Sequence, residues 1–231
     1  MKVIAPSIEV LTKLHKLVIE YRGMCGTSGE CLTVLIPALH QLTGLVCLCV
    51  ESDSGALDPV DIEGIALALK GLKKLETLDI RDFGLEVNGA LALAPVLSGM
   101  TTLRCLHLHS LGPYHEAEEK AGWGVSTILA LAPTLQDLTC LTSLDLGGYF
   151  MGSEGMKTLA PYLQRLTKLE HLYLSCNLLG EDTATTALLL EVLKTLINIK
   201  YLKLVDHSID PAFYVSLHAY LPQCEVVRAF L

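Results

Sequence analysis

One apolar motif, LxxLxxLxL, recurs along this sequence and constrains its fold more than any other feature. Seven copies are present, and their second apolar position gives a common register: Leu14, Leu45, Leu75, Leu103, Leu141, Leu169 and Ile199. The successive steps are 31, 30, 28, 38, 28 and 30 residues. A nearly fixed period of this length is typical of a solenoid, in which each repeat is one structural unit stacked on the next. An eighth, degraded copy is predicted in the C-terminal segment CEVVRAFL.

Each copy predicts a short strand that is preceded by a helix. The xLxLx alternation places leucines on one face of a strand, and a leucine stands six residues before the register position in the helical segment of six repeats: Leu39, Leu69, Leu97, Leu135, Leu163 and Leu193. One strand and one helix cannot bury these leucines alone, so neighbouring units must stack. We predict a right-handed α/β solenoid, shaped as a horseshoe of about seven repeats plus a partial one. A parallel sheet lines its concave face and helices its convex face.

A proline recurs in the predicted helices, eight residues before the register position. It follows a (L/I)(A/I) pair in five copies: Pro6, Pro37, Pro95, Pro133 and Pro161. Proline removes a backbone donor and bends or restarts a helix. We therefore expect every repeat to bend its helix at the same place.

Bulk composition limits the classes of function. Hydrophobic residues make up 51% of the chain and charged residues 18%, which predicts a large core and excludes a disordered chain. The net charge is −8 and no basic stripe is visible, so neither nucleic acid nor an anionic membrane surface is an expected partner. No apolar run reaches the roughly 18 residues that span a bilayer.

Location and domain organisation follow from the cysteines and the N-terminus. The eight cysteines lack paired flanking clusters, which favours free thiols in a reducing compartment. The N-terminal residues lack the pattern of a signal peptide, so a cytoplasmic location is expected. Residues 1–231 are predicted to form a single domain that begins inside a repeat. The incomplete first repeat is either its own cap or the continuation of a longer protein.

The repeats resemble the ribonuclease-inhibitor-type class of leucine-rich repeat proteins over nearly the whole chain. The resemblance implies a binding fold and is more informative about architecture than about function. The class usually places Asn three residues after the last strand leucine, and only Asn177 matches. Other residues stand at this position elsewhere, where less regular turns are expected: Arg22, Asp53, Phe83, Leu111, Tyr149 and His207.

Strand geometry predicts which side chains point outward from the concave face. One row contains Val18, Cys49, Asp79, His107, Asp145, Tyr173 and Lys203. The row two residues earlier contains Lys16, Cys47, Thr77, Cys105, Ser143, His171 and Tyr201, and the row two residues later contains Glu20, Glu51, Arg81, His109, Gly147, Ser175 and Val205. In a parallel, in-register sheet, members of a row on adjacent strands lie about 4.8 Å apart.

The concave face holds the predicted partner-binding residues: Asp79, Arg81, His107, His109, Asp145, His171, Tyr173, Tyr201 and Lys203. His107 lies between Asp79 and Asp145, which should raise the pKa of its imidazole; an ordinary solvated histidine is the alternative. His171, Tyr173 and Tyr201 form an aromatic cluster of the kind enriched at binding hot spots. Packing along the strand surface is the alternative for this cluster.

Metal binding and catalysis are both disfavoured. Cys105, His107 and His109 share one face with Cys47 and Cys49, but alternate residues on a strand lie about 6.6 Å apart, too far for tight tetrahedral ligation. Ser143 is diagonal to His107, yet a regular sheet offers neither a strained elbow nor oxyanion donors. We expect no metal, no cofactor and no enzymatic activity.

The step of 38 residues marks an insertion at about residues 111–124. It contains Tyr114 and the only tryptophan, Trp123, as well as an acidic set, Glu116, Glu118 and Glu119. Insertions in repeat proteins often form loops on the binding face. Tyr114 and Trp123 are therefore predicted edge-loop contacts to a protein partner with a basic patch. Alternatively, Trp123 covers a gap that the insertion opens, and the acidic residues are simply solvated.

The leading hypothesis is a protein-recognition module that binds through its concave sheet and edge loop. One alternative is a GTPase-activating or other regulatory repeat protein, an idea that depends on analogy of fold alone. Another is a sensor or structural segment of a larger intracellular receptor. The oligomeric state is not specified by the sequence.

Overall fold

The computed structural model describes residues 11–21, 35–52, 59–81, 85–110, 123–205 and 209–228. Its centre is one open sheet of eight parallel strands that pair strictly in chain order. The strands are β1 (Lys16–Tyr21), β2 (Cys47–Ser52), β3 (Thr77–Arg81), β4 (Cys105–His107), β5 (Ser143–Asp145), β6 (His171–Tyr173), β7 (Tyr201–Leu204) and β8 (Glu225–Arg228). The strand β8 confirms the degraded eighth copy of the motif.

A helix lies in each connection between successive strands. The helices are α1 (Ile36–Gln41), α2 (Pro59–Leu69), α3 (Val87–Leu97), α4 (Trp123–Leu131), α5 (Gly152–Leu163), α6 (Thr183–Thr195) and α7 (Pro211–Tyr220). A short 3-10 helix, Ala132–Gln136, follows α4. Each helix packs against the next along the chain. An all-parallel sheet with one helix per crossover is the predicted α/β solenoid, which is thereby confirmed.

The repeated leucines form one continuous core between the sheet and the helices. The strands are paired so that the leucines of the central six are in register: Leu48, Leu78, Leu106, Leu144, Leu172 and Leu202. These side chains are at most 1% exposed, and the six helix leucines that precede the register positions are also buried. The period of the motif therefore brings the leucines of the strands and the leucines of the helices together in the space between the two layers. Leu17 and Val226, in the end strands, are only partly buried because each has one neighbouring strand.

The recurring proline does not bend each helix alike, so that prediction was wrong. Pro37 lies in the first turn of α1, where its missing N–H has no partner to lose. Pro95 and Pro161 lie inside α3 and α5, close to their C-terminal ends. Pro133 is the second residue of the 3-10 helix after α4. The position of the proline relative to the helix ends differs, and its effect differs with it.

Asn177 stabilises a turn next to the sheet, as the resemblance implies. Its side chain is fully buried, and its Nδ2 donates to the carbonyls of Leu146 and Leu174 at 2.8 and 3.1 Å. Its Oδ1 accepts from the backbone N–H of Tyr149 at 3.1 Å. Tyr149, at the same place in the preceding repeat, is also fully buried, and its hydroxyl donates to the carbonyl of Leu108.

The hydroxyl of Tyr149 shows that a side chain other than asparagine can hydrogen-bond the backbone next to such a turn. The remaining five turn positions, Arg22, Asp53, Phe83, Leu111 and His207, lie outside the described residues.

Within the part of the chain that is described, no helix has the length and apolar character needed to cross a bilayer.

Candidate functional site

The side chains that alternate with the buried leucines form the face of the sheet opposite the core, which we call the open face. Strand pairing places Asp79 opposite His107, His107 opposite Asp145, and Asp145 opposite Tyr173. The next pair in this row is Tyr173 and Lys203. The row is therefore aligned across five strands in the register that the sequence predicts. Apart from Asp145, which is buried, these side chains are half-buried and reachable from solvent.

Arg81 connects two strands of the open face. Its Nε donates to Asp79 Oδ1 at 2.7 Å, and its Nη2 lies 2.8 Å from His107 Nδ1. Asp79 Oδ2 is also 3.4 Å from the same imidazole nitrogen. Charge-assisted contacts of this kind are shorter and stronger than neutral hydrogen bonds. They fix the guanidinium over the sheet in one orientation.

The contact with Arg81 determines which nitrogen carries the proton when the ring of His107 is neutral. A guanidinium has only donors, so Nδ1 must accept and the ring proton is on Nε2. That nitrogen lies 2.8 Å from Ser143 Oγ and 3.3 Å from Cys105 Sγ. His107 thus joins three strands, β3, β4 and β5, through its two nitrogens.

Asp79, His107 and Ser143 resemble a catalytic triad in composition but not in hydrogen-bond geometry. A general base would have to accept the serine proton at Nε2, which carries the ring proton here. The backbone N–H of Ser143 donates to the carbonyl of Arg104 at 2.9 Å, so it is not free to stabilise an oxyanion.

Burial disfavours the charged form of each residue in this network, and the contacts among these residues favour the charged form. The hydrogen bonds to Asp79 and Cys105 raise the pKa of His107 above its ordinary value despite burial. The hydrogen bonds from His107 and Arg81 lower the pKa of Asp79, against the effect of its own burial. When His107 takes up a proton, Nδ1 becomes a donor, which favours Asp79 over Arg81 as its partner.

Asp145 lies opposite His107 on β5, as predicted, but its carboxylate is hydrogen-bonded elsewhere. Its carboxylate Oδ1 accepts the backbone N–H of Gly147 at 2.9 Å, and the residue is only 7% exposed. It is absent from the main causes that shift the pKa of His107. A backbone donor two residues later in the chain satisfies this carboxylate. The raised pKa of His107 therefore comes from its contacts with Asp79 and Cys105 rather than from two carboxylates.

The predicted aromatic cluster is present, and it is larger than expected. The rings of Tyr173 and Tyr201 have centroids 5.3 Å apart, and those of His171 and Tyr201 are 6.3 Å apart. Tyr173 also meets His107 edge-on, with centroids 5.7 Å apart. We call these four residues the aromatic tract. His107 joins it through this ring contact across β5, a detail that the sequence pattern does not specify.

The remaining predicted contacts are distributed along the same face and its edge. His109 lies against Gly147, where an added Cβ would come within 2.9 Å of its Cδ2. Lys203 is half-buried in the row that contains Tyr173. Tyr114 lies outside the described residues. Trp123 and Gly124 belong to the first turn of α4, so the inserted loop ends before them, and only the backbone of Trp123 is described.

Two thiols on the open face are closer than the strand spacing predicts. Cys47 and Cys49 are alternate residues of β2, and their Sγ atoms lie 3.7 Å apart. The side chains converge, so this distance is shorter than the backbone spacing of about 6.6 Å between alternate residues of a strand. Burial, with a smaller effect of Cys47, raises the pKa of Cys49 to about 12.

Over the described ranges, no three Cys, His, Asp or Glu side chains gather in a cluster that could hold a metal ion.

The outer helix surface carries a second type of exposed residue. Leu67, Leu91 and Leu129 lie on α2, α3 and α4 and are 53%, 58% and 48% exposed. They lie on helices and are therefore separate from the open face of the sheet. They therefore serve as reference positions for experiments on the sheet.

The repeat motif and the open parallel sheet define this chain as an α/β solenoid with a leucine-rich-repeat-like fold. Among solved structures, it is similar to a leucine-rich repeat protein of Leptospira interrogans, with 17% sequence identity and a TM-score of 0.39. The match covers 95% of this chain and 62% of the Leptospira chain, so this chain spans less than two thirds of that protein. No protein-family profile matches the sequence, and no curated protein matches it.

Proposed function

We propose that the open face is a recognition surface for another protein. The observation that carries this proposal is the aromatic tract, which places two tyrosines and two histidines in mutual contact on a solvent-facing sheet. Tyrosines lose little conformational entropy when they bind, and they are enriched among residues that dominate interface energies. Their contacts hold the rings in place before a partner arrives, which lowers the cost of binding.

The polar network beside the tract supports the same proposal. Arg81 is held by Asp79 and His107, while its side chain remains 39% exposed. A fixed guanidinium offers its remaining N–H groups in a defined direction. The predicted contact set therefore combines an aromatic centre with polar groups at its side: Asp79, Arg81, His107, His109, Asp145, His171, Tyr173, Tyr201 and Lys203.

The partner that we propose is a protein with a basic patch, because the chain has a net charge of −8 and acidic residues lie near the predicted edge loop. Tyr114 and Trp123 are retained as proposed contacts of that loop. We also propose a ribonuclease-inhibitor-type repeat, because the steps are mostly 28–31 residues and each strand connection contains a helix. An experimental structure with short 3-10 segments in place of these helices would contradict the subclass.

A cytoplasmic location is the third part of the proposal. It is supported by the described cysteines, which are all free thiols, as expected in a reducing compartment. Cell fractionation with a thiol-labelling step tests it. Recovery in the cytosolic fraction with labelled thiols supports the location, and recovery in an oxidising compartment contradicts it.

The test of recognition compares three proteins as bait in extracts of the cells that express the chain. The wild-type protein is compared with Tyr173→Ala/Tyr201→Ala and with the control Leu91→Ala, which removes an exposed side chain from the helix surface. A partner retained by the wild type and the control, but lost by the double variant, supports the open face. Equal retention by all three contradicts it. Circular dichroism verifies that each variant is folded.

A further inference from the structure

A pair of thiols on β2 is not used by the proposed recognition surface. Cys47 and Cys49 both point from the open face, and both are half-buried and accessible from one side. Their Sγ atoms are 3.7 Å apart, which is van der Waals contact. Lys16 and Thr77 lie opposite Cys47 on the neighbouring strands, and Val18 and Asp79 lie opposite Cys49. No disulfide joins the two thiols.

Direct oxidation of this pair is disfavoured by geometry. A disulfide needs its sulfur atoms about 2.0 Å apart, so the two Sγ atoms would have to approach by roughly 1.7 Å. The two Cα atoms are alternate positions of a paired strand, about 6.6 Å apart, near the upper limit for a disulfide. The strand cannot shorten without breaking its hydrogen bonds to β1 and β3. A single atom between the sulfurs avoids this strain, because it bonds to both while they remain well separated.

The number and type of donors determine which atom fits. Two sulfur atoms are present, and the described residues provide no third ligand beside them. Zinc in protein sites almost always has four ligands, so it matches this pair poorly. Soft acceptors that bind two thiols match it better, and the soft thiolate ligand is the one that selects Cu(I) among first-row metals.

We propose that Cys47 and Cys49 form a two-thiol site for a soft, thiophilic acceptor, either Cu(I) or a trivalent arsenical. Binding Cu(I) forms two S–Cu bonds and releases both thiol protons to solvent, with no change of oxidation state. Binding a trivalent arsenic oxide forms two S–As bonds, and the oxide oxygen leaves with the two thiol protons as one water. Neither reaction requires an oxidant. The site is independent of whether the open face also binds a protein.

The experiment titrates the full-length reduced protein with phenylarsine oxide and, separately, with chelator-buffered Cu(I). Each titration is followed by native mass spectrometry. The test variants are Cys47→Ser and Cys49→Ser, which keep the size of the side chain while removing one sulfur. Cys140→Ser removes a half-buried thiol on a different repeat, and Cys25→Ser/Cys31→Ser removes the other cysteine pair that is close in sequence. These two variants are the controls.

The expected result is one bound acceptor per chain for at least one of the two probes. Because two bonds act together, the wild type should bind it about 100-fold or more tightly than either single variant of the pair. The control variants should bind like the wild type. The bound probe should block maleimide labelling at positions 47 and 49, and a dithiol should remove the arsenical where a monothiol does not.

The proposal is overturned if the wild type binds both probes no more tightly than Cys47→Ser and Cys49→Ser do. It is also overturned if tight binding disappears in Cys25→Ser/Cys31→Ser instead. The probe that binds identifies the source, Cu(I) or arsenical. Loss of protein binding by the aromatic tract variants does not affect these outcomes, so the two proposals are tested separately.

Discussion

Arg81 Nη2 lies 2.8 Å from His107 Nδ1, and this contact joins β3 to β4 on the open face. When the imidazole is neutral, this contact makes it an acceptor toward arginine and a donor toward Ser143 on β5. The same ring meets Tyr173 edge-on. One histidine thus connects the charged part of the open face to its aromatic part, and the predictions below test the consequences.

The pKa of His107 should fall when the charge of Asp79 is removed. In Asp79→Asn, the imidazolium loses its carboxylate partner, while burial continues to favour the neutral ring. Nuclear magnetic resonance of the histidine ring across a pH series measures the shift. Glu170→Gln is the control, because Glu170 pairs with Lys200 at the start of β6 and β7 and does not contact His107. An unchanged pKa in Asp79→Asn would show that another group holds the proton.

The same pair should make stability depend on pH. The folded-state pKa of His107 is raised above about 6.5, the value of an unfolded histidine, so protonation stabilises the fold. This stabilisation is complete below the unfolded value and is lost as the pH rises through the folded value. Asp79→Asn should therefore cost more free energy of unfolding at about pH 6 than at about pH 10. Urea titrations of both proteins at both pH values measure it, and an equal cost would contradict the pairing.

Asn177 should contribute more to stability than an exposed asparagine with a similar contact. Asn177→Ala leaves two carbonyls and one N–H without their partner inside the turn, which should lower the free energy of unfolding by about 3 kcal/mol. The matched control is Asn198→Ala, because Asn198 donates to the carbonyl of Thr167 at 2.7 Å but is exposed. Its loss should cost less than about 1 kcal/mol. Similar urea midpoints for the two variants would contradict the role of the buried turn.

Gly148 should tolerate substitution less well than Gly152. Both have positive φ, 82° and 53°, so an alanine at either place carries left-handed strain of about 1–2 kcal/mol. A Cβ on Gly148 would also lie 1.7 Å from the carbonyl oxygen of Ser110, whereas a Cβ on Gly152 meets nothing within 4 Å. Gly148→Ala should therefore cost at least about 2 kcal/mol more than Gly152→Ala, or prevent folding. Thermal melts measure the difference, and equal stabilities would exclude the close approach of the two turns.

The sequence predicts the architecture well because its information is periodic. The leucine register specifies which strands are neighbours, and the pairing of Asp79, His107, Asp145 and Tyr173 follows from that register. Period alone does not specify the direction of each side chain. The carboxylate of Asp145 is bound by the N–H of Gly147, and the side chains of Cys47 and Cys49 incline toward each other. Neither the hydrogen bond of Asp145 nor the thiol pair follows from the period of the motif.

Photo-cross-linking from the sheet itself tests the central proposal most directly. A photoreactive benzophenone amino acid is placed at Lys203, beside Tyr173 on the open face, or at Leu91 on the helix surface. Both proteins are irradiated with the partner recovered by affinity capture. The account predicts a covalent adduct from position 203 and none from position 91. An adduct from position 91 alone would place the partner on the helices and contradict the proposed recognition surface.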